Sequence, residues 1–130
     1  MRYVVMICLC VAAFIHLLPV VGVLGGDRLQ SLYGVAIDGP DLQILMRHRA
    51  VLFGLLGTFL LVAAFVPALQ PTALAVGLVS VLSFLLLAWT TDGYNASIAR
   101  VVTADVIALV ALLIGTAAYF IIRSKTWPGA

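Results

Sequence analysis

Leu45-Met46-Arg47-His48-Arg49-Ala50 runs directly into the apolar stretch 51–66. Three cationic or titratable side chains in succession stand at the head of a hydrophobic helix. Burying them in hydrocarbon is costly, and ionisable groups at such depth usually mark a site, so function is sought around them. The stretch also decides the fold class: a segment of this length and hydropathy reads as a helix long enough to cross a bilayer.

The rest of the chain agrees with that reading. Of 130 residues, 65% are hydrophobic and 9% charged, against roughly 25% charged in soluble domains. A spanning helix needs about 20 apolar residues, and four such segments use most of the chain. The expected fold is all-α: an integral membrane four-helix bundle in a single domain, with helices at about 3–24, 40–66, 72–90 and 96–122 and a capping first loop. Nothing remains for a soluble catalytic module.

The first segment begins like a secretory signal, but its apolar run is too long and no small-x-small cleavage site follows, so it is read as a retained span. Pro19 is expected to kink it. Gly25-Gly26-Asp27 breaks it. The connection to Pro40 carries Leu29, Leu32, Tyr33, Val35 and Ile37; it is too apolar to float in water and is expected to cap the bundle or lie at the interface, with Tyr33 at headgroup level. Asp38-Gly39-Pro40-Asp41 reads as a helix start capped by an aspartate. Pro67 to Thr72 is a tight uncharged turn, which makes the second and third spans antiparallel neighbours. Asp92-Gly93 marks the next turn, and Arg123, Lys125 and Trp127 form a terminal interfacial anchor.

Ala50, Gly54 and Thr58 recur on the second span, and Ala104, Ala108, Ala111 and Gly115 on the fourth. Such stripes allow close backbone approach, and these two spans are expected to pack together. Ser80, Ser83 and Thr90 share roughly one face of the third span, pointing inward or bonding to their own backbone. Cys8 and Cys10 point about 200° apart and cannot jointly grip a metal, so they read as packing residues.

Depth and phase gather the polar groups. At about 1.5 Å of rise per residue, His16 and Asp105 lie on the order of 12 to 14 Å below the same surface, and Arg47 and Arg49 enter from that side. By phase Arg47 is the first candidate to pair with Asp105, Arg49 the second, with His16 near both. The expected site is Arg47, His48, Arg49, His16, Asp105 and Tyr33. It would bind or transport a small amphipathic molecule such as a lipid, quinone or isoprenoid. The alternative is a structural or accessory subunit whose buried charges set helix register. An enzymatic role ranks third: His16 or His48 could move protons, but no nucleophile, metal set or nucleotide-binding loop stands beside either.

Expected partners are the bilayer, a lipid or quinone ligand and a second copy of the chain. A nucleic-acid partner is excluded, because a net charge of +2 and one short Arg-His-Arg run make no basic face. No cofactor follows from the sequence. Lysine and arginine divide three (Arg2, Arg123, Lys125) to four (Arg28, Arg47, Arg49, Arg100) between the two sides. Exempting the arginines in helix heads that serve a site, both termini are assigned to the cytoplasmic side.

Ser31-Leu32-Tyr33-Gly34, then Asp41-Leu42 before an arginine-headed helix with Ala50, Gly54 and Gly57, then Asp92-Gly93 and an acid in the fourth span, resemble the small bacterial four-helix membrane proteins of unknown function that are broadly DoxX-like. The likeness covers about residues 18–113. It implies a bacterial inner-membrane bundle, with Asp105 as the family-like acid and Arg47 or Arg49 as the family-like arginine, and implies no settled activity. Some relatives carry an adenylyltransferase name, which the absence of a His-x-Gly-His motif does not support.

Overall fold

The computed structural model describes residues 1–126, apart from the side chain of Thr126. Trp127 of the expected terminal anchor lies outside them. Five α-helices follow one another: α1 (Arg2–Leu17), α2 (Gly26–Tyr33), α3 (Pro40–Phe65), α4 (Gln70–Trp89) and α5 (Ala96–Thr126). There is no strand among the described residues. Four helical stretches are long and apolar enough to cross a membrane: Arg2–Leu24, Pro40–Phe65, Pro67–Trp89 and Ala96–Lys125.

Pro19 does not end the first span but tightens it. From Leu18 to Leu24 the chain continues as a 3-10 helix, consistent with a proline that removes a backbone donor near the start of that segment. Gly25 then turns the chain at φ 143°, a conformation open mainly to glycine. The expected apolar loop contains α2, whose inner face carries Leu29 and Tyr33 while Asp27, Arg28 and Gln30 face outward. Leu29, Tyr33 and Ile37 form a small core of their own with Leu32, Met46, Ile98 and Val101, and α2 thereby roofs one end of the helices. Tyr33 is turned inward and 5% exposed, not at the surface where an interfacial tyrosine was expected.

At the head of α3, Gly39 occupies the cap position without a side-chain bond, and Pro40 and Asp41 fill the first turn. The expected aspartate cap by Asp38 does not form. Proline in the first turn leaves fewer amides to cap, and Asp41 still meets the positive end of the helix dipole. The tight turn after α3 is a 3-10 segment, Pro67–Leu69, and α4 starts at Gln70 with Pro71 inside its first turn.

Helix α1 lies against both α3 and α5, α4 lies against α5 and α3, and α3 and α5 stand at opposite corners without packing on one another. This overturns the expected pairing of the second and fourth spans. Each small-residue stripe instead receives α1: Gly57 faces Leu17 and Ala13, Gly54 faces Val20, and Gly115 faces Cys8 as well as Leu74. Periodicity places small residues on a face but leaves open which neighbour fills it. The most apolar of the four stretches, with mean hydropathy 2.8, lies between α3 and α5 and also touches α4. The main core joins Leu9, Leu60, Leu74, Val81 and Leu112 with alanines from α1, α3 and α5.

Candidate functional site

Beneath α2, where α3 and α5 stand apart, lies a cavity of about 280 Å³. Helix α1 and its 3-10 extension contribute Ile15, His16, Leu18 and Pro19; α2 contributes Ser31, Leu32 and Tyr33; α3 contributes Arg49 and Phe53; α4 contributes Phe84; and α5 contributes Ser97, Arg100, Val101, Ala104 and Asp105. All five helices therefore build it. Its wall is mostly apolar, and its polar groups converge from three sides, the usual pattern of a small-molecule site.

Asp105 is 9% exposed and faces this space from α5. Every buried polar side-chain atom sealed from the surface has a partner, yet no hydrogen bond or ion pair to Asp105 occurs among the described residues, so its carboxylate is open only toward the cavity. Arg49 lines the same space and is the cation whose field acts on Asp105. Its guanidinium carbon lies 5.2 Å from the centre of the Tyr33 ring and 4.9 Å from that of Phe53. Two aromatic faces thus hold the charge in place without consuming its hydrogen-bond donors.

His16, 2% exposed, is fully engaged. Its Nδ1 donates to the Ala12 carbonyl at 2.8 Å; a carbonyl only accepts, so Nδ1 carries the proton. In the neutral ring Nε2 then accepts from the Ser80 hydroxyl at 3.2 Å, tying α1 to α4. The ring leans on Phe53 at 5.8 Å. Of Ser80, Ser83 and Thr90, Ser80 points inward, whereas Ser83 and the capping Thr90 just past the end of α4 donate back to α4 carbonyls.

Arg49, His16, Asp105 and Tyr33 are brought together; Arg47 and His48 are not. Arg47 is exposed, and its Nε donates to the Val23 carbonyl at 2.8 Å. That carbonyl lies in the last turn of the first span, where helix carbonyls lack their own partners. The expected Arg47–Asp105 pair is therefore absent, because α1, not α5, lies on the Arg47 side of α3. His48 is exposed on the outer surface.

Residues that sequence reasoning passed over complete the site. Arg100 and Ser97 sit on its α5 wall, joined by a 3.0 Å bond. Asn95 locks the roof. Its Oδ1 accepts from the Ile98 amide at 2.9 Å and so caps α5, while its Nδ2 donates to the Tyr33 and Gly34 carbonyls at 2.9 and 3.1 Å. Gly34, at φ 63°, ends α2 where an added Cβ would lie 3.0 Å from the Ser97 hydroxyl. The Asn-Ala-Ser run carries a helix-cap signal, but its reach to α2 is tertiary. Among the described residues no cluster of three His, Cys, Asp or Glu side chains could hold a metal ion.

No family model, no curated protein and no solved structure matches this chain.

Proposed function

We propose that the chain is an integral membrane four-helix bundle of a bacterial inner membrane, akin to DoxX-like proteins, with both termini cytoplasmic. In this reading it binds or transports a small amphipathic molecule of the lipid, quinone or isoprenoid class. The polar end of the molecule occupies the cavity beneath α2. The membrane reading rests on the four long apolar stretches and on the bulky side chains they turn outward, among them Phe14, Leu55, Val79, Leu87 and Phe120, each more than 60% exposed. Such a surface is at home in lipid and is an aggregation hazard in water.

The observation that carries the binding reading is Asp105: a carboxylate nine-tenths buried, with no hydrogen-bond or ion-pair partner among the described residues, opposite an arginine whose donors are likewise uncommitted among them. Charges that serve only helix register are satisfied by each other across an interface. Here acceptor and donor share one apolar chamber and leave the space between them to a third group. The matching ligand offers a hydroxyl or amine proton to Asp105 and an acceptor oxygen to Arg49, with Phe53, Phe84 and Val101 beside its apolar part. A second, shallower groove lined by Arg49, Leu52, Phe53, Leu56 and Ser80 adjoins the cavity on the α3–α4 side and gives a tail a way toward lipid.

Mass spectrometry of small molecules that co-purify in mild detergent tests this. A defined amphipathic species is expected with the wild type and is expected to be lost, at least tenfold, from Asp105→Asn and Arg49→Gln. Identical profiles of bulk lipid and detergent from all three proteins would eliminate the ligand site and leave the accessory-subunit reading.

A further inference from the structure

Arg47, displaced from the cavity, stands over a different feature. Along the outer seam between the 3-10 end of the first span and α3 runs an apolar groove of about 530 Å³, lined by Leu17, Val20, Val23, Val51, Leu55 and Phe59, with Gly54 and Thr58 on its floor. We propose that this groove is a binding site for one anionic phospholipid of the bilayer. An acyl chain lies along α3 and the phosphate rests on Arg47.

Three observations meet here. Arg47 precedes Val51 by one turn and shares its face, and its Nε bond to Val23 fixes the guanidinium at the upper end of the groove, since Val23 itself lines it. With Nε committed, the two terminal amino groups remain free among the described residues, a fork suited to phosphate oxygens. From Val51 to Phe59 the groove extends about 12 Å along the helix axis at about 1.5 Å per residue, close to the roughly 15 Å that one leaflet contributes to a 30 Å hydrocarbon core. Arg47 then lies one turn higher, where headgroups begin. Thr58 donates to the Gly54 carbonyl at 2.7 Å, so the floor presents its apolar side to the chain, and no polar group in the groove is left for an acyl chain to desolvate. No carboxylate lines the groove, in contrast to the cavity, where Asp105 disfavours a phosphate.

Native mass spectrometry of protein extracted from bilayers of equal phosphatidylglycerol and phosphatidylcholine reads the site directly. The wild type is expected to retain one phosphatidylglycerol in roughly tenfold preference to phosphatidylcholine. Arg47→Gln is expected to bring the two lipids to parity. Thr58→Phe fills the groove while sparing the Arg47–Val23 bond; it is expected to lower lipid retention severalfold and keeps the test decisive if Arg47→Gln does not fold. An unchanged preference in Arg47→Gln, or unchanged retention in Thr58→Phe, overturns the proposal. Arg47 and Thr58 lie outside the cavity and Asp105 disfavours a phosphate inside it, so loss of phospholipid in these variants reads the groove and not the cavity.

Discussion

The two ends of the helical array are built on opposite principles. Toward the Pro67–Leu69 turn, leucines drop into gaps left by glycine and alanine: Leu112 reaches within 3.2 Å of where a Cβ on Gly77 would stand, and Leu9, Leu60 and Leu112 are fully buried. Toward α2, three aromatic rings, two arginines, a histidine and an aspartate stand around a cavity. In lipid, where no hydrophobic force drives helices together, association rests on van der Waals contact and interhelical hydrogen bonds. A chamber forfeits that contact over its walls. One end therefore holds the fold, and the other gives up packing around a chamber.

The sharpest way to break this contrast is in the packed end. Leu112→Ala is expected to cost about 2 to 4 kcal/mol, because neighbouring helices cannot collapse fully onto the space left behind. Reversible unfolding in detergent measures it, and a cost below about 1 kcal/mol would mean the packed end is no more important than the cavity end. Next in size is the roof. Asn95→Ala removes a helix cap and both bonds to the end of α2, with an expected cost of about 1 to 2 kcal/mol. Amide exchange across Gly26–Tyr33 should accelerate while that of α1 residues near Leu9 stays slow. Uniform acceleration would show that the two ends are one cooperative unit.

The four long helices were legible because apolar runs of 20 or more residues admit few readings, and the turns because Gly-Gly-Asp, Pro-Ala-Leu-Gln-Pro and Asp-Gly each obstruct a helix. Depth counting was enough to bring His16, Arg49 and Asp105 to one level. What depth could not supply was the neighbour of each face. Arg47 and Arg49 differ by two residues, about 200° around α3, and only the position of α1 decides that Arg47 caps Val23 while Arg49 enters the cavity. The same gap explains why the small-residue stripes were matched to each other and not to α1. Asn95 is a residue type suited to a helix cap, but its bonds to α2 span more than 60 positions and leave no local trace.

The smallest expected effect is the most telling about the cavity end. Were Asp105 and Arg49 a direct ion pair, removing either alone would strand a buried charge and cost several kcal/mol, and removing both would restore much of it. They share a chamber without forming that pair, and Arg49 is supported by Tyr33 and Phe53 instead. Asp105→Asn then removes a desolvated carboxylate that the field of Arg49 offsets only at a distance, with no hydrogen bond or ion pair to it among the described residues, so ligand-free stability is expected to hold or rise by up to about 1 kcal/mol. Arg49→Leu should lose about 1 kcal/mol through its cation–π contacts, and the coupling in the double variant should stay within about 1 kcal/mol. Thermal unfolding of wild type, both single variants and the double in ligand-free detergent gives all the required terms. A coupling of 3 kcal/mol or more would mean that the pair closes on itself, which would turn the cavity end into a second packed end and remove the reason for a ligand there.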